Sequence, residues 1–125
     1  MSAMDIGIKL VALCSEGKFM DAIDQLYADD IVSVEASGGG GMEKTMTGIE
    51  AIKGKNKWWT DNNEVHGLEV QGPFAHADRF IVKFDLDLTP KSGPTAGQRT
   101  KMQEVGVYTV DGGKIAKEEF FQGAG

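Results

Sequence analysis

Phe80-Ile81-Val82-Lys83-Phe84-Asp85-Leu86-Asp87-Leu88 decides the fold class. Every even position in it is apolar, whereas Lys83, Asp85 and Asp87 fall on odd ones. A period of two marks a β-strand with one face on a core and the other turned to water. Downstream, Pro90-Lys91-Ser92-Gly93-Pro94 with Gly97 reads as a wide hairpin tip, and a return strand follows from about Lys101 to Val110. Asp111-Gly112-Gly113 is a tight-turn signal, and the last strand covers Lys114 to Gln122. Upstream, Val65 to Val70 reads as a weaker strand, with turn chemistry at Gln71-Gly72-Pro73 and Ala75-His76-Ala77-Asp78.

Further toward the N-terminus the period changes to that of helices. Ser2-x-x-Asp5 has the form of a capping box. Behind it Met4, Ile8 and Val11, with Ile6, Leu10, Leu13 and Cys14, give a broad apolar face that ends at Gly17. Phe19, Met20, Ile23, Leu26 and Tyr27 recur on one side of a second short helix. From Ile31 the period is again two, with Ile31, Ser33 and Glu35 on one face of a strand and Val32, Val34 and Ala36 on the other. The strand gives way to Ser37-Gly38-Gly39-Gly40-Gly41, whose glycines predict a mobile loop. Thr47-Gly48-Ile49-Glu50 has the form of a second capping box, opening a helix that carries Ile49, Ile52, Asn56 and Trp59 on one face and ends near Asp61-Asn62-Asn63. Helices before strands, with one strand between the second and third helix, predict an α+β domain in which three N-terminal helices pack on a curved antiparallel sheet. A sheet curved in this way around helices is expected to leave a ligand-sized cavity.

The chain has 125 residues, enough for one hydrophobic core, so residues 1–125 are read as a single domain. Hydrophobic residues at 41% and charged residues at 26% are ordinary for a globular protein. The longest apolar run, Ile8 to Cys14, is interrupted by Lys9 and far too short to cross a bilayer. The start of the chain lacks a secretory signal pattern, and Cys14, the one cysteine, allows no internal disulfide, so the expected compartment is the cytoplasm. A formal charge of −6 without a basic stripe argues against nucleic acid as a partner. His66 and His76 lack a second ligand at metal spacing, and no phosphate-cradling or dinucleotide fingerprint occurs, so no metal and no cofactor are expected.

Three segments in order, Gly17 through Asp30, Thr47-Gly48-Ile49-Glu50-Ala51-Ile52 and Val110-Asp111-Gly112-Gly113-Lys114-Ile115, give the chain its family likeness. It resembles the SnoaL-like branch of the nuclear-transport-factor-2-like, cystatin-like superfamily, to which the ketosteroid isomerases also belong. The resemblance covers nearly the whole chain and implies a cone-shaped α+β fold, a deep pocket for a small hydrophobic molecule and a homodimer. It implies no single chemistry, because the superfamily includes isomerases, polyketide cyclases, dehydratases, epoxide hydrolases and proteins without catalysis.

Glu35, five residues after Asp30, has the spacing at which the resemblance implies a carboxylate base. A carboxylate there can accept a proton from carbon next to a carbonyl. The tyrosine and acid that oppose this base in the isomerases would fall at Leu10 or Val11 and at Gly106, so that pattern is not kept. Glu104 and Tyr108 bracket Gly106 with period two and share its face. Tyr108 can donate a hydrogen bond to an oxyanion, and Glu104 can act as acid or base. The plainer readings are a solvated carboxylate at Glu35, a half-buried packing tyrosine at Tyr108 and a cross-strand lysine partner for Glu104. Glu118 and Glu119 must point to opposite faces, and the resemblance favours Glu118, with Phe120 and Gln122, as inward. Asn56, Trp59, Phe80, Phe84, Glu118 and Phe120 are the expected pocket residues, with core packing as the simpler role for the aromatic ones. Two functions follow: acid/base chemistry without a cofactor on a small hydrophobic carbonyl compound, or a non-catalytic ligand-binding or dimerising domain. Ile81, Val105 and Val107 on the opposite sheet face are the candidate dimer surface.

Overall fold

A computed structural model describes residues 2–36 and 44–122. The glycine loop expected after Ala36 lies outside the described residues. In chain order the elements are α1 (Ala3–Ser15), α2 (Phe19–Leu26), β1 (Tyr27–Val34), β2 (Thr45–Thr47), α3 (Ile49–Asn62), β3 (Asn63–His76), β4 (Arg79–Pro90), β5 (Thr100–Asp111) and β6 (Lys114–Gln122). The strands form one sheet in the order β2-β1-β6-β5-β4-β3. β3 to β6 make an antiparallel meander. β1 joins it parallel to β6, so the sheet is mixed where an antiparallel one was expected. The parallel pair follows from the chain path: β2, α3 and the strands β3 to β5 lie between the two strands, a long crossover of the kind that parallel neighbours need.

The capping box at Ser2 and Asp5 forms: the Ser2 hydroxyl accepts from the Asp5 N–H at 3.2 Å, and the Ser2 N–H donates to the Asp5 carboxylate at 3.2 Å. The second one does not. Gly48 is the N-cap of α3 with φ 97°, and no side chain caps that end: the helix begins at Ile49, so Thr47, in β2, stands one residue outside the cap. On α1 the buried face is narrower than the apolar pattern implied. Ala3, Ile6, Leu10 and Cys14 are buried at helical spacing, while Met4 and Ile8 stay 44% and 54% exposed. On α2 Ala22, Ile23 and Leu26 are buried, whereas Met20 faces out and Tyr27 already begins β1.

β3 is twice the expected length. It runs through Gln71-Gly72-Pro73, which makes a bulge in the register with β4 and not a turn. Gly72 takes φ 126°, a conformation that L side chains avoid. The turn comes later, at Ala77 and Asp78, and β4 carries Phe80, Val82, Phe84 and Leu88 into the core as its alternation requires. Gly112 and Gly113, both with positive φ, make the tight turn into β6. No helix among the described residues is long and apolar enough to cross a membrane.

α1 approaches the bulge at Gly7, where a Cβ would stand 2.6 Å from the Pro73 Cβ and 3.1 Å from the Phe80 ring. Gly7→Ala therefore overpacks a rigid contact and should cost about 1–3 kcal/mol, more than the ~0.5–1 kcal/mol that alanine gains in a helix. Urea unfolding checks this, and an unchanged or raised midpoint would contradict the close approach.

Candidate active site

The cavity lies between the helices and the concave face of the sheet, with a volume of about 600 Å³. Its walls are built by register. Across the sheet, Ser33 of β1 is level with Glu118 of β6, Glu118 with Tyr108 of β5, and Tyr108 with Phe80 of β4. A second row joins Phe84, Glu104 and Gln122, and Gly106 lies level with Phe120 between them. Period two then sends Glu104, Gly106 and Tyr108 to the concave face together, and on β6 it sends Glu118, Phe120 and Gln122 there. Glu35 follows β1 on the side of Ile31 and Ser33, and its N–H donates to the Lys44 carbonyl at 2.7 Å.

Glu35, Glu104, Tyr108, Asn56, Trp59, Phe84, Glu118 and Phe120 all line the cavity. Phe80 does not. Its ring lies in the core behind the wall and stacks on Tyr108, with centroids 4.9 Å apart and planes 10° from parallel. Tyr108 can lie there because residue 106 is glycine, for a Cβ at that position would stand 2.7 Å from the Tyr108 ring and 3.0 Å from its hydroxyl. Where the isomerase pattern would place an acid, this chain therefore places the ring and hydroxyl of Tyr108. Phe120 meets Tyr108 edge to face at 6.2 Å. His66 instead contacts Thr89, with Nε2 and Oγ1 2.7 Å apart at an exposed position.

Two residues that matter were not foreseen. Lys55 reaches from α3 to the sheet: its ammonium donates to Ser33 Oγ at 2.7 Å and to Glu35 Oε1, and it stands 3.7 Å from Glu118 Oε1. It also lies 5.3 Å from the centre of the Phe120 ring. Tyr27 donates to Glu118 Oε2 at 2.6 Å inside the core. Lys55 follows Ile52 by three and precedes Trp59 by four, so helical spacing had already put it on the inward face. Tyr27 gave no such signal, because it read as the last apolar residue of α2.

Electrostatically the three cavity carboxylates differ. Glu104 is pushed up to about 7, first by burial and then by the charge of Glu35, against a hydrogen bond with Gln122 and the charge of Lys55. Glu118 is also raised by burial, which outweighs Lys55 and the hydrogen bonds from Tyr27 and Ser33. The Tyr27 and Tyr108 hydroxyls are raised by burial and by the neighbouring Glu118, so both remain proton donors at neutral pH. Burial pushes the Cys14 thiol up to about 12. That rules out a ready thiolate. The arrangement can give and take protons in an apolar enclosure at neutral pH. Among the described residues no group of three or more His, Cys, Asp and Glu side chains is placed to hold a metal.

The SnoaL-like domain model matches residues 1–122. The chain belongs to the SnoaL-like domain family. Among solved structures, this SnoaL-like domain is 40% identical to a candidate SnoaL-like polyketide cyclase from Mesorhizobium loti, covering 97% of this chain and 99% of that one at a TM-score of 0.89. A protein of unknown function with a cystatin-like fold from Xanthomonas campestris shares 13% identity, 98% and 91% coverage and a TM-score of 0.77. A protein with a ketosteroid isomerase-like fold from Catenulispora acidiphila, in complex with trimethylamine, shares 21%, 96% and 86% coverage and a TM-score of 0.70. The last two show the fold alone. A comparison with curated proteins gave no match.

Tyr27→Phe removes the donor from a carboxylate that is 2% exposed, so the SnoaL-like domain should lose about 1–3 kcal/mol of stability. Urea unfolding at neutral pH measures it; a midpoint equal to that of the parent would show that Glu118 does not depend on Tyr27.

Proposed function

We propose that this SnoaL-like domain is a cofactor-independent acid/base enzyme, an isomerase, cyclase or dehydratase acting on a small hydrophobic carbonyl compound. The observation that carries the reading is that Glu35 and Glu104 line one largely apolar cavity, where burial and the charge of Glu35 push Glu104 up to about 7. Two carboxyl groups with different environments suit the roles of base and acid. Glu35 takes a proton from the carbon next to the carbonyl. The C–H electron pair moves toward the carbonyl oxygen, and protonated Glu104 and the Tyr108 hydroxyl donate hydrogen bonds to that oxygen as charge accumulates. Trp59, Phe84 and Phe120 supply apolar wall for the body of the substrate.

Deuterium exchange at the α-carbon of 2-tetralone, a small apolar ketone, tests this without knowledge of the natural substrate. Glu35→Gln should slow exchange by about a hundredfold or more. The donor form of Glu104 is lost as pH rises through about 7, so kcat/KM should fall on that side. Glu104→Gln keeps an N–H donor that does not titrate, so its profile should lack that fall. Unchanged exchange in Glu35→Gln would support the second reading, a pocket that only binds.

We also propose a homodimer through the convex face. Phe74 pairs with Ile81 and Ile81 with Val107, while Phe121 pairs with Val105, which puts a contiguous apolar patch on the outside of the sheet. Phe74, Ile81 and Phe121 are 61%, 40% and 54% exposed, and neighbouring exposed apolar side chains of this kind suit a protein contact. Light scattering at micromolar concentration should give twice the chain mass; a monomer mass would rule the dimer out.

A further inference from the structure

We infer that Lys55 is a positioning residue: its ammonium clamps Glu35 beside Ser33 and Glu118, and so decides which of the cavity's carboxylates is the base. The inference rests on the acid/base reading and goes beyond it, because it assigns the choice among three glutamates to one lysine. Lys55 is the one cationic side chain among the described residues that line the cavity, against Glu35, Glu104 and Glu118. Its side chain is only 12% exposed, so water screens the cluster little.

The three carboxylates are occupied differently. Glu118 Oε2 accepts from Tyr27, its Oε1 faces Lys55, Ser33 bonds to it as well, and its side chain is only 3% exposed, so it is turned to protein partners. Glu104 has Gln122 as partner and no cation within ion-pair distance among the described residues, which favours its protonated form. Glu35 lines the cavity and gives Oε1 to Lys55, while Oε2 has no hydrogen-bond partner among the described residues. One oxygen held and one free describes a base with fixed aim. When it acts, the substrate C–H bond breaks, an O–H bond forms at Glu35 Oε2, and the electron pair passes to the enolate oxygen. Nothing is oxidised or reduced. Lys55 touches neither the carbon nor the oxygen in this step and works through Glu35.

Other titratable groups face the cluster: Tyr27 from β1, Glu104 and Tyr108 from β5, Glu118 from β6 and Cys14 from α1. None is a cation, so none replaces Lys55. Without it, Glu35 and Glu118 confront each other and Glu104 with no compensating cation in the cavity wall.

The test compares Lys55→Met, Lys55→Gln and Lys55→Arg by deuterium exchange into 2-tetralone from about pH 5 to about pH 9. In Lys55→Met and Lys55→Gln the acid limb of kcat/KM should move up by about one pH unit or more, giving about a tenfold loss on that limb with KM nearly unchanged. Lys55→Arg keeps the charge and should hold the limb where the parent has it. Coincident limbs in all four proteins would overturn the assignment while leaving the acid/base reading intact. If the parent itself exchanges no deuterium, the acid/base reading fails and unfolding free energy against pH decides on the clamp. A raised carboxylate favours the fold only below its unfolded pKa, near the ordinary 4.5, so Lys55→Met and Lys55→Gln should then lose stability relative to Lys55→Arg as pH rises above that value. Parallel curves would overturn the clamp.

Discussion

The polar end of this cavity depends on keeping one buried carboxylate satisfied. Glu118 is 2% exposed, and an uncompensated charge there would cost several kcal/mol. Its partners come from separate parts of the chain: Tyr27 and Ser33 from β1, Lys55 from α3. The two from β1 are brought to it by the parallel pairing of β1 with β6, which sets Ser33 level with Glu118. The crossover that makes the sheet mixed is therefore also what assembles the site. Charge and topology cannot be altered separately here.

The concave face shows how little backbone variation is needed to change the chemistry offered. Gly106 leaves a gap, and the Tyr108 ring fills it, backed by Phe80 and edged by Phe120. A side chain at residue 106 and the present position of Tyr108 exclude each other sterically. The SnoaL-like domain thus presents the Tyr108 hydroxyl beside Gly106, and Glu104 lines the cavity two residues earlier on the same strand face. Burial and the charge of Glu35 bring that acid into the neutral range.

Much of this was legible in the amino-acid order because period alone assigns faces. The alternation of Phe80 to Leu88 places β4, and the spacing of Glu104, Gly106 and Tyr108 puts all three on one side before any coordinates are known. What period cannot give is depth. Phe80 and Phe84 share a face, yet Phe84 lines the cavity and Phe80 lies in the core, a difference set by where α1 crosses the sheet. Nor does local chemistry show pairings over long separations. Tyr27 and Glu118 meet across 91 residues, and Thr47 ends in β2, one residue outside the cap position of α3 that Gly48 takes. Lys55 was the one omission that the sequence could have prevented, since it stands at helical spacing from Ile52 and Trp59.

The central claim is that one cavity holds carboxyl groups of opposed character, with Glu104 the acid near neutrality. A carbon-13 titration of the glutamate side chains in the unmodified protein tests it most directly. The Glu104 carboxyl resonance should move with a midpoint at about 7. A Glu104 midpoint near the ordinary 4.5 would contradict it, because burial and the charge of Glu35 would then not be acting on that group.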